Sequence, residues 1–187
     1  MFVAHLQAVF IPIFLGLKSI NRFKQVRFPH LLPFAFISLG FASMFEMIDH
    51  TSTNWIYVDH ISIFNWLFYC NLSLGLSIFT MSVESKKSKI CTNIILIFSV
   101  IFSYWILGKA STVILQIIIS ILLLTKWWNR FKDLLIFIYP ITGVILTTSF
   151  GILLSSTGEQ IWHVFIGPSG TISVLSFYLI LKRSKNK

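Results

Sequence analysis

The chain has 187 residues, 56% of them hydrophobic and 11% charged, at a mean hydropathy of +0.82, and a soluble domain this apolar could not cover its surface with polar groups. The net charge of +9 raises nucleic acid as a partner, but the basic residues fall in short clusters between apolar runs, where they orient helices and meet anionic headgroups. Nucleic-acid binding is therefore set aside, and the chain reads as an integral membrane protein whose partner is membrane lipid.

The apolar runs are too long and too rich in Ile, Leu and Phe for outer-membrane strands, which alternate apolar and polar residues. The expected fold is all-α, a polytopic bundle of seven transmembrane helices forming a single domain over 1–187. The first span, 2–17, carries His5, Gln7 and Pro12 and lacks a basic leader and a small-residue cleavage site, so it reads as a retained helix and not a signal peptide. Pro29 and Pro33 open the second span, 31–49, where proline costs little. A third span, 56–81, carries Asp59, His60, Asn65 and Asn71 on its first half, and Gly108-Lys109 turns the fourth, 90–107, into the fifth, 110–128. The sixth, 134–154, contains Pro140 as an expected kink; the seventh, 159–181, is bent by Gly167-Pro168. Trp55, Trp127 and Trp128 read as an aromatic belt, His5 and His30 as interface residues, and Asn65 and Asn71 as interhelical hydrogen-bond formers.

With seven spans, fourteen basic residues fall on one side and Lys109 alone on the other. That asymmetry predicts a cytoplasmic C-terminus and an N-terminus outside, in a bacterial inner or plasma membrane. The end of span two and the starts of spans three and seven then share the non-cytoplasmic side.

Those three places carry the unusual residues. Of only six acids, Glu46, Asp49 and Asp59 lie with His50 and His60 in one short stretch, and Glu159 precedes His163 far down the chain. Glu46/His50 and Glu159/His163 are each spaced i, i+4, so both members of a pair share one helix face. Carboxylate and imidazole offered from helix ends suit zinc, and ionisable groups in hydrocarbon cost about 2.5 to 3.5 kcal/mol each, which favours a shared partner. His50, Glu159 and His163 are the expected metal ligands. Asp59 and Glu46 are the candidate catalytic groups, managing the proton of a metal-bound water. Each also has a plainer role: Asp59 as a helix N-cap, His50 as an interfacial histidine, Glu46 as a buried carboxylate paired with His50, Asp49 as a solvated helix-end charge.

The run VDHISIFNWLFY from Val58 resembles the Asp-His-x-x-Ile-Phe opening of the third helix in haemolysin III and adipoQ-receptor proteins, and EQIWHVFIG from Glu159 resembles their seventh-helix motif. The wider superfamily includes the alkaline ceramidases. The resemblance implies a seven-helix fold and zinc held by a histidine late in helix two and two in helix seven. Carried over, His163 matches the second of those histidines, Asp59 the aspartate of helix three, and His50 the helix-two ligand. Two positions depart: Glu159 replaces the first helix-seven histidine, and Glu46 stands where the family has serine.

The leading expectation is a zinc-dependent membrane hydrolase of a lipid amide or ester, ceramidase-like. The alternatives are a non-catalytic seven-helix receptor or sensor with a structural metal, and a proton or ion carrier using the same acid and histidine cluster.

Overall fold

The computed structural model describes residues 2–52, 62–84, 87–146 and 159–185. Among the described residues every regular element is helical: α1 (Phe2–Ser19), a 3-10 turn (Pro29–Leu31), α2 (Leu32–Ser52), α3 (Ile63–Val83), α4 (Lys87–Ile106), α5 (Lys109–Phe131), α6 (Ile138–Pro140) and α7 (Glu159–Ser184). A 3-10 stretch, Leu134–Phe137, precedes α6, and a π-helical stretch, Ile141–Leu146, follows it. Pro140 explains this irregular segment, because its missing N–H breaks the i to i−4 ladder and the turns around it tighten or widen.

Local chemistry sets the ends. Ser62 is extended and its hydroxyl accepts from the amides of Phe64 and Asn65, so α3 begins at Ile63 and not near Ile56. The apolar run continues upstream of the cap, which is why hydropathy alone started the span early. Asp59 and His60, expected on the first half of that helix, precede its cap and lie outside the described residues. Gly108, at φ +85°, takes a backbone shape few other residues adopt and turns α4 into α5.

α2 packs along α1 on one side and α3 on the other. A Cβ on Gly40 would stand 2.8 Å from the Val9 carbonyl oxygen, and one on Gly75 2.9 Å from that of Ala35. In a bilayer, where burial of apolar area between helices gains little over lipid, such close backbone approach is what holds helices together. The outward faces of α1, α4 and α5 show Phe10, Ile95, Ile106 and Ile114 to the surroundings, as lipid contact requires.

One end of the bundle gathers the basic connections. Arg22 reaches Tyr178 of α7, the Arg27 amide donates to the Ser82 carbonyl, and Lys126 of α5 pairs with Glu84. Just inside this end, Phe36, Phe79, Trp127 and Phe177 bring α2, α3, α5 and α7 into one aromatic knot, with ring centroids 4.9 to 5.4 Å apart in the successive pairs. Trp127 is thus a core residue, 1% exposed with its indole N–H on the Phe79 carbonyl, and not part of an interfacial belt. Asn71 also differs from expectation: its amide donates to Leu67 of its own helix. Asn65 does join helices, accepting from the Tyr104 hydroxyl of α4.

Candidate functional site

α1 is 18 residues, about 27 Å at 1.5 Å per residue, and its last turn lies at the basic end. Its start therefore sits at the opposite end, with the last turn of α2 and the first of α7. That acidic end is where the sequence places Glu46, Asp49, His50, Glu159 and His163, while Glu84, Asp133 and His30 belong to the basic end.

Two of those groups have described side chains. Asp49 is buried, not solvated, and accepts a hydrogen bond from the Ser62 hydroxyl. Because Ser62 also caps α3, a carboxylate on α2 is held against the positive end of the α3 dipole, and the two helices are pinned together here. Glu46, one turn earlier, is half-buried, and Lys109, the lone basic residue at this end, lies within electrostatic reach of it. From Ser62 the polar contacts continue inward. The Tyr104 hydroxyl donates to Asn65 at 3.1 Å, the Trp66 indole to the Ile101 carbonyl at 2.9 Å, and Ser103 meets Thr112 at 3.0 Å across the α4–α5 turn. Deeper still, the Gln116 amide of α5 donates to the Tyr69 carbonyl and the Ser73 hydroxyl of α3.

The expected ligand positions fall at this end on the backbone. His50 lies two residues before α2 closes at Ser52, and Glu159 and His163 occupy the first turns of α7. The side chains of these three lie outside the described residues, as does Asp59 entirely. Among the described residues no group of three histidine, cysteine, aspartate or glutamate side chains converges. The donor set of two imidazoles and a carboxylate suits zinc by its chemistry.

His5 corrects the sequence reading. It was expected at the membrane interface, yet it is fully buried near the start of α1, the helix that packs along both α2 and α7. Nothing in its neighbours in sequence marked it. Ser62 was also missed, although a serine directly before the apolar run Ile63-Phe64 is the ordinary signal of a helix start.

Apolar helices crossing a bilayer in one bundle, with the basic connections at one end and Glu46, Asp49, His50, Glu159 and His163 toward the other, define a polytopic seven-helix integral membrane protein. Three described stretches, Pro29–Asp49, Ile63–Val83 and Lys109–Phe131, are each long and apolar enough to span. A family model described as "Seven transmembrane receptor" matches residues 1–187, and the chain belongs to that family. This supports the seven-helix class and gives no support to the haemolysin III and ceramidase superfamily that the two motif blocks resemble. No curated protein and no solved structure matches the chain.

Proposed function

We propose that the chain is a non-catalytic seven-helix receptor or sensor that reads a cationic ligand, a metal ion such as zinc, at its acidic end. The observation that carries this is the match of a seven-transmembrane-receptor family to the whole chain. The geometry supplies a route for a signal. A ligand drawing on the last turn of α2 competes for, or reorients, the Asp49 carboxylate that holds Ser62. Ser62 caps α3, and α3 runs from there to the aromatic knot at the basic end. On this reading His50, Glu159 and His163 hold the ion, Asp59 and Glu46 orient its water or balance its charge, and buried His5 is a third imidazole to test. The basic end faces the cytoplasm of a bacterial inner or plasma membrane, since fourteen of fifteen basic residues belong to connections on that side.

The hydrolase reading uses the same residues and differs in outcome. The test is metal analysis and thermal unfolding of the purified full-length protein in lipid nanodiscs, beside His50→Ala, His163→Ala and His5→Ala, together with a panel of lipid amides and esters. Bound metal, a melting temperature that falls on chelation and returns with zinc, and no turnover support the sensor. Turnover lost in His50→Ala and His163→Ala replaces it with a hydrolase. Protein that carries no metal and gains no stability from added zinc removes the metal from the reading; a ligand at 100 times its Kd would add about 2.7 kcal/mol.

A further inference from the structure

We propose that the cleft at the basic end, between the α1–α2 connection and the end of α7, is a binding site for a phosphate-bearing anion. The cleft is about 500 Å³, within the range of small-molecule sites, and is lined by Asn21, Arg22, Lys24, Gln25 and Lys185. Three of these five are cations and none is an acid. The described carboxylates of this end are engaged elsewhere: Glu84 lies 2.7 Å from Lys126, and Asp133 lies 3.5 Å from Arg183.

The cleft is built, not a loose collection of surface lysines. The Arg22 guanidinium donates to the Tyr178 hydroxyl at 3.1 Å, and Tyr178, 8% exposed, packs edge-on against Phe23 at 5.4 Å. One N–H of the fork is spent on that anchor; the others remain for an oxyanion, whose geometry a guanidinium fits in bidentate fashion. The Gln25 amide is fixed by bonds to the Leu181 carbonyl at 2.9 Å and the Ser184 hydroxyl at 3.1 Å, which ties the α1–α2 connection to the end of α7. Asn21 holds the wall in a left-handed backbone shape at φ 56°.

The charge does not cancel locally. The C-termini of α1 and α7 end beside the cleft, and each contributes roughly −0.5 of an elementary charge. Three cations against about −1 leave a surplus near +2, and a phosphate monoester carries about −1.5 to −2 at neutral pH. The same chemistry comes from two sources, a phospholipid headgroup at the membrane surface or a free phosphate.

The test uses the full-length protein in phosphatidylcholine nanodiscs, with binding of short-chain phosphatidylglycerol, short-chain phosphatidic acid and inorganic phosphate measured by calorimetry. Lys24→Gln/Lys185→Gln should weaken binding roughly twenty-five-fold, at about fivefold for each cation near a surface. Lys18→Gln/Lys132→Gln removes the same charge outside the cleft and should change it less than threefold. Arg22→Gln is a second probe, its thermal unfolding curve checked because it also loses the Tyr178 bond. Lipid binding that inorganic phosphate does not displace assigns the site to a headgroup, and displacement by phosphate assigns it to a soluble anion. No binding of any of the three, or equal loss in both double variants, overturns the proposal.

Discussion

Lys126 Nζ on α5 lies 2.7 Å from Glu84 Oε2 at the C-terminal cap of α3, a carboxylate only 4% exposed. The same residue's backbone carbonyl accepts from the Arg27 guanidinium at 3.1 Å, so the α1–α2 connection, α3 and α5 are joined at one point. Removing Lys126 takes an ion-pair partner away from a carboxylate that is almost fully buried. Lys126→Met should therefore destabilise by about 1 to 3 kcal/mol, and Glu84→Gln/Lys126→Met should recover part of that, because the buried carboxylate charge is then gone as well. Thermal or denaturant unfolding of the protein in detergent reads both. A single variant within 0.5 kcal/mol of the parent would show that the pair contributes nothing.

The Asp49–Ser62 contact makes a second prediction at the other end. Ser62→Ala removes the cap of α3 and the donor to Asp49 together, and should lower stability by about 1 to 2 kcal/mol, while Ser62→Thr keeps both functions and should lie within 0.5 kcal/mol. Amide exchange in the first turn of α3 is the local readout. Faster exchange confined to Phe64–Trp66 in Ser62→Ala is expected; unchanged exchange there counts against the cap.

The helical class and the gathering of basic residues at one end were legible because hydropathy and charge are summed over many residues, and single errors cancel. The seven-helix reading held for the same reason. What was not legible depends on neighbours from distant segments. Trp127 and Trp128 are adjacent in sequence, yet one is sealed under Phe79 and Phe177 while the other is half-exposed, a difference set by which face of α5 meets α3. His5 and Asp49 looked like surface charges because burial by another helix leaves no trace in their own stretch. Conversely Glu84 drew no attention as a loop acid beside three lysines, though its partner lies 42 positions away on α5. The i, i+4 pairs Glu46/His50 and Glu159/His163 were legible as same-face pairs on helices; whether they meet is a tertiary matter that spacing does not address.

Two glycines make opposite predictions for one substitution. Gly75→Ala puts a methyl 2.9 Å from the Ala35 carbonyl oxygen and 2.8 Å from a Leu39 methyl, and the backbone atom cannot move aside without parting α2 from α3. A loss of about 1 to 3 kcal/mol is expected. At Gly170, inside α7, an added Cβ meets nothing within 4 Å, and Gly170→Ala should stabilise by about 0.5 to 1 kcal/mol through helix propensity alone. The sign difference, measured in the same unfolding assay, is the test; destabilisation by both would mean that α7 is packed against something at Gly170.

The aromatic knot carries the last prediction. Trp127 is 1% exposed, stacks edge-on at 5.4 Å from Phe79 and 5.0 Å from Phe177, and donates its indole N–H to the Phe79 carbonyl at 2.8 Å. Trp127→Ala leaves a cavity between three helices and should cost about 3 to 5 kcal/mol. Trp127→Phe keeps most of the volume but removes one of two side-chain donors to the Phe79 carbonyl, which the Ser82 hydroxyl still serves at 2.7 Å, so about 0.5 to 1.5 kcal/mol is added to a small packing loss. The ordering parent, Trp127→Phe, Trp127→Ala in melting temperature is expected. If the phenylalanine variant equals the parent, the hydrogen bond contributes little. If it equals the alanine variant, the bond and not the ring holds α5 to α3, and the packing account of this end is wrong.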